Sequence, residues 1–167
     1  MDGGRLVLKM YFRGRERAWS YLLAEEDLER AVNALGKAEP RGDESRLGYL
    51  LFSTGDRRQV AVALSELQFA RLIPLDSWAR APGDPVVAPD GCARVWVRDR
   101  REPIVLGSAN AAGIFTLFAN LEEREYRLSP IRELAGGDDE SLFFNCPEIL
   151  VLEAPLEVYR RGFLTRR

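Results

Sequence analysis

The chain contains no histidine. This removes the side chain that titrates near neutrality, the commonest metal ligand, and every Ser-His or Cys-His nucleophile pair. Lysine is nearly as scarce: of 24 basic residues, only Lys9 and Lys37 are lysines. Cys92 and Cys146 are the only cysteines, too few for a multi-cysteine zinc site. They could form one disulfide if adjacent, but without an export signal they read as reduced, partly buried thiols. No apolar run approaches membrane-spanning length, and Met1 to Arg5 leads into a strand without the apolar stretch of a signal peptide. A soluble cytoplasmic protein with no membrane partner is therefore expected. The net charge of −2 provides no global field toward nucleic acid or anionic lipid.

What is present is a globular composition, 46% hydrophobic and 30% charged, sufficient for one good core or two small ones sharing an interface. It also contains a pattern that occurs twice. Leu28, Ala31, Val32 and Leu35 form a helical apolar stripe, repeated 86 residues later as Ile114, Leu117, Phe118 and Leu121. Leu6–Phe12 and Ala18–Leu23 read as a strand pair, followed by a helix with Glu25, Glu26 and Asp27 at its positive end and Gly36 as its stop. Strands are expected at 47–54, 59–64 and 67–75. Pro82, Pro85 and Pro89 mark 76–91 as a connector. The same order then returns. Strands are expected at 92–98 and 103–106, a helix capped by Ser108 and ending near Leu121, and strands at 125–131, 141–145 and 148–153.

The expected architecture is therefore α+β: two similar β-β-α-β-β-β units at 1–75 and 92–157, an internal duplication of mainly antiparallel sheets. They would pack about a pseudo-two-fold axis, with 158–167 as a basic tail. The offset between units is 86 through the first hairpin and helix, 78 for the next strand and 82 for the last two. One continuous α+β domain is the alternative.

Arginine is concentrated at inferred turns: Arg13, Arg15 and Arg17; Arg57 and Arg58; Arg98, Arg100 and Arg101; and, near the end, Arg160, Arg161, Arg166 and Arg167. Arginine binds carboxylates and phosphates in bidentate fashion, so turns on the same side would form a paired basic rim. Glu16, Asp56, Asp99 and Glu102 are interleaved, so a solvated hairpin accounts for the same residues, and a GC-rich bacterial genome accounts for the choice of arginine over lysine.

Gly107 and Ser108 lie where a strand passes into a helix, a place where backbone N–H groups can hold an anion. The loop lacks the Gly-Lys-Ser/Thr of a phosphate-binding loop. Gly136 to Glu140 lacks the alternating ligands of a calcium loop, so neither metal nor cofactor is expected. Cys146 precedes Pro147 in apolar surroundings that raise a thiol pKa, and is read as structural. Trp19, Trp78 and Trp96 are read as packing residues.

From Ile114 through Ile149, the runs Phe115–Leu121, Tyr126–Pro130 and Phe143–Asn145 resemble small bacterial β-β-α-β-β-β domains. That resemblance implies a fold and no activity. The functional expectation is a non-catalytic binding or regulatory module acting through a protein partner. The alternatives are nucleic-acid or nucleotide binding through the arginine turns, and a small-ligand receptor or enzyme with a site in the crevice between the units. A homodimer is compatible with the pattern.

Overall fold

Alternating apolar residues build the first hairpin, Leu6–Phe12 (β1) and Trp19–Leu22 (β2), with Leu8, Met10, Phe12, Trp19 and Tyr21 buried. The computed structural model describes residues 5–37, 48–78, 91–123, 131–135 and 141–165. After β2 come Glu25–Lys37 (α1), Tyr49–Ser53 (β3), Arg58–Ala63 (β4) and Leu67–Pro74 (β5). Past the proline-rich stretch lie Ala93–Val97 (β6), Ile104–Leu106 (β7), Ala111–Glu123 (α2), Ile131–Ala135 (β8), Ser141–Asn145 (β9), Ile149–Pro155 (β10) and Leu156–Thr165 (α3).

The protein is mixed α+β, and every strand pairing among the described residues is antiparallel. Strands β2-β1-β5 form one sheet, β3-β4-β10-β6-β7 a second, and β8-β9 a hairpin of two strands. The five-stranded sheet draws strands from both sides of the connector and is covered on both faces. Phe52, Val60, Val62, Trp96 and Val151 meet the inner face of the β2-β1-β5 sheet, with Trp19 set edge-on to Trp96 at 6.1 Å. On the other side Leu51, Ala61, Val95 and Leu152 meet Ile114, Leu117, Phe118 and Leu121 of α2 and Val158 of α3. None of the helices described is long and apolar enough to cross a membrane.

The two chain halves use the same pairing scheme: β1 pairs with β2 and β5, and β6 pairs with β7 and β10. Leu8 faces Tyr21, and Ala93, 85 residues on, faces Leu106. Tyr49 faces Ala63, and Ile131, 82 residues on, faces Asn145. Both halves have a bulge at the same place. Phe12 faces Leu67 while Tyr11 faces Phe69, leaving Gln68 over; Val97 faces Ile149 while Trp96 faces Val151, leaving Leu150 over. A single turn of 3₁₀-helix, Leu64–Glu66 or Cys146–Glu148, precedes each bulged strand.

Several expectations change. The second unit's third strand is described at Ile131–Ala135; of the expected 125–131, residues 125–130 lie outside the described residues. The hairpin offset is accordingly 82 and not 78, and the first-hairpin offset is 85 and not 86. Gly36 does not stop α1, which extends to Lys37. Val32 is 45% exposed and only Ala31 of the first stripe is fully buried, because α1 covers a sheet edge with a narrow face. Most of the expected basic tail belongs to α3, whose Tyr159 and Phe163 pack on Phe115 of α2. Gly162 permits that crossing, since a Cβ there would collide with the Ala111 carbonyl and the Phe115 Cβ. Of the connector, 79–90 lie outside the described residues.

Candidate functional site

The bulges decide where the arginine turns go. Just before each bulge in β5 and β10, a backbone bond ties a hairpin turn to the preceding 3₁₀ turn. The Arg13 N–H donates to the Glu66 carbonyl at 2.8 Å, and the Arg98 N–H to the Glu148 carbonyl at 2.8 Å. The turns themselves match. The Arg15 N–H donates to the Phe12 carbonyl and the Arg100 N–H to the Val97 carbonyl, and the residue after the first arginine has positive φ in both, Gly14 at 71° and Asp99 at 62°. The two turns converge. Arg13 and Arg15 from the first, with Arg98, Arg100 and Arg101 from the second, line one cleft of about 360 Å³ together with Gly14, Glu66, Asp99 and Leu150.

Within this cleft some guanidinium groups are already held in place. Arg98 pairs with Glu66 at 2.9 Å and with Glu148 at 3.5 Å, bridging the 3₁₀ turns of the two halves. Arg15 donates to the Val97 carbonyl at 2.9 Å and lies over the Trp19 ring at 5.9 Å, crossing from one half to the other. Arg100 and Arg101 are exposed and have no ion-pair partner among the described residues. The cleft has five guanidinium groups against the carboxylates of Glu66 and Asp99 in its lining and of Glu148, which pairs with Arg98. Arg17, on the same first turn, is exposed and is not among the lining residues.

The second arginine pair separates. Arg57 ends the turn at φ 64° and Arg58 begins β4, so their side chains part and do not share one site. Arg57 is exposed, pairs with Glu157 of α3 at 3.1 Å, and lines a different cleft of about 490 Å³ with Arg5, Arg160, Glu25 and Glu26. Arg58 is buried and is removed from the expected rim. Its Nη1 lies 2.7 Å from Oε1 of Glu153 in β10, and the Tyr21 hydroxyl donates to Oε2 of the same carboxylate at 3.0 Å. Arg94 of β6 stands 3.9 Å away. Burial pushes the Glu153 carboxyl up from its ordinary value, against the pull of Arg58, the Tyr21 hydroxyl and Arg94. Burial, reinforced by the Glu153 charge, pushes the Tyr21 phenol well above its ordinary value.

Ser108 does not cap α2. It opens a 3₁₀ turn, Ser108–Asn110, without a side-chain cap bond, and α2 starts only at Ala111. The Ser108 carbonyl accepts a bond from Arg161 of α3, so the element following Gly107 and Ser108 is joined to a neighbouring helix. The acid expected to serve the α1 dipole has a more definite role at Asp27. Its buried carboxylate accepts the Ser53 N–H at 2.6 Å and fixes α1 to β3. Cys92 and Cys146 are not joined in a disulfide, and burial pushes Cys146 up to about 11. Among the described residues no group of three His, Cys, Asp or Glu side chains is placed to hold a metal, and Gly136–Glu140 lies outside them.

No protein family, curated protein or solved structure compared with this chain matches it.

The buried carboxylate cluster yields a pH prediction. Between the ordinary tyrosine value of 10.0 and the raised native one, the folded state keeps the Tyr21 proton that the unfolded state has released, so stability falls as pH rises through that window. Tyr21→Phe removes this contribution and also the bond to Glu153. It should cost about 1.5–3 kcal/mol at neutral pH, the usual worth of a hydrogen bond to a charged group. Its stability should then decline less steeply than the wild type's in alkali, as measured by urea unfolding at both pH values.

Proposed function

We propose that this chain is a non-catalytic binding module whose ligand is a small phosphate-bearing anion, held in the cleft where the two arginine turns converge. The observation that carries the reading is the placement of Arg13, Arg15, Arg98, Arg100 and Arg101 on one concavity. Charge excess alone would favour any anion. The number of guanidinium groups favours one with several negative oxygens, because each planar fork can engage two of them. A cleft of about 360 Å³ suits a ligand of small-molecule size better than an extended polymer. Arg98 and Arg15 are ordered before any ligand arrives, which lowers the entropy lost on binding. Arg100 and Arg101 supply exposed charge at the cleft to meet it.

Isothermal titration with inorganic pyrophosphate tests this directly. The wild type should bind saturably, with affinity that falls as salt rises. Arg100→Ser with Arg101→Ser, at exposed positions, should weaken binding by at least about tenfold, the equivalent of one charge-assisted bond. No saturable binding, or equal affinity in the double variant, overturns the proposal. Tighter, steeply salt-dependent binding of a single-stranded oligonucleotide would reassign the arginines to nucleic acid.

We also infer that the halves descend from an internal duplication and are related by a pseudo-two-fold axis through this cleft, as in a fused isologous dimer. The shared pairing scheme, the paired bulges and the matched turn bonds support this. In a crystal structure, Leu6–Pro74 should superpose on Ala93–Pro155 with Phe12 over Val97 and Leu67 over Ile149. Non-equivalent positions for these residues would contradict a common origin.

A further inference from the structure

The correspondence between the halves fails at one pairing. Strand β10 is paired on both edges, with β6 and with β4. Its counterpart β5 pairs with β1 on one edge and, among the described residues, with no strand on the other. The counterpart of β4 is β9, which among the described residues pairs only with β8. One molecule therefore presents two strand edges whose equivalents elsewhere in the same molecule are joined.

The register of the missing pairing follows from the one that exists. Val151 faces Val62, Leu152 faces Ala61 and Ala154 faces Gln59. Moved by 82 residues in each strand, these become Phe69 facing Phe144, Ala70 facing Phe143, and Leu72 facing Ser141. The side chains keep the apolar character of their counterparts but lack their burial. Phe69 is 52% exposed where Val151 is 0%, and Phe143 is 65% exposed where Ala61 is 0%. Phe69 is stacked on Tyr11 at 4.1 Å and 9°, a flat apolar plate on the outer face of the first sheet. The sides agree as well. Phe69 would lie on the side of Phe144, already in the α2 core, and Phe143 on the side of Ala70, already against the other core.

We infer that the edge of β5 receives β9 from a second copy of this chain. Among the described residues the two edges of one molecule do not meet: β9 pairs with β8 and is held against α2 through Phe144. A two-fold pair of molecules joins both edges at once, β9 of each copy on β5 of the other. This completes two five-stranded sheets β8-β9-β5-β1-β2 like the one already formed. An unpartnered strand edge flanked by exposed aromatic side chains is unfavourable in water, and this pairing covers it. The inference rests on the observed register correspondence and not on the anion-binding reading.

Sedimentation equilibrium over a wide concentration range, with amide exchange on β5 and β9, tests it in the full-length chain. The wild type should dimerise, and protection of the Ala70 and Phe143 region should rise with concentration. Phe143→Glu should raise the dimer dissociation constant at least about tenfold, with the circular dichroism of the monomer unchanged, because an unpaired carboxylate would be buried at the seam. Phe143→Leu should still dimerise. A wild type that stays monomeric overturns the inference, whether β5 and β9 are unprotected or are protected by pairing within one chain. A dimer indifferent to Phe143→Glu overturns it too, by placing the interface elsewhere. Monomers that bind pyrophosphate normally would remove this inference alone.

Discussion

The structure depends on one carboxylate. Glu153 lies on β10, the central strand of the five-stranded sheet, and gathers groups from three other strands: Arg58 from β4, Arg94 from β6 and Tyr21 from β2 of the facing sheet. A lone charge at that depth would be costly, and its arginine and tyrosine partners are what make it tolerable. In satisfying it, the chain fixes β4 from the first half against β10 from the second, and the first sheet against the second. An apolar pair at the same place could give equal stability. It would not specify the register, whereas a charge with one set of partners does.

That register positions the cleft. With β4 on β10, each half's 3₁₀ turn and bulge lie beside the other's. The hairpin turns bonded to them are brought together, and Arg98 and Arg15 cross the junction. Convergence of the arginines is therefore a consequence of how the halves join. Among the described residues, β4 pairs with β10 across the halves, while β5 and β9 each have a neighbouring strand on one side.

Much of this was legible in residue patterns. Alternation gives β1, β2 and β9 to within a residue, and α1 and α2 appear from their stripes, whereas α3 reads only as a basic tail. Arginine between two apolar strands correctly marks Arg13, Arg15, Arg98, Arg100 and Arg101 as turn residues. Their meeting was not legible, since it depends on a long-range bulge that no local spacing encodes. Arg57 and Arg58 show a different limit. Adjacent letters suggest one cluster, while the turn carries Arg57 outward and the first position of β4 buries Arg58 against Glu153. Had Glu153 been noticed as an acid inside an apolar strand, Ile149 to Pro155, a buried basic partner would have been demanded. Val32 was misassigned because a helical stripe shows which residues share a face, not how much of that face is covered.

Strand β10, paired with β4 of the first half and β6 of the second, should join the halves into one cooperative unit. Native-state hydrogen exchange measures this most directly. The account predicts that the slowest amides of β1, β4, β6 and β10 exchange with a common free energy, equal to that of global unfolding. If β6, β7 and α2 open as a separate unit while β1, β2 and β5 stay protected, the halves are independent and the account is wrong.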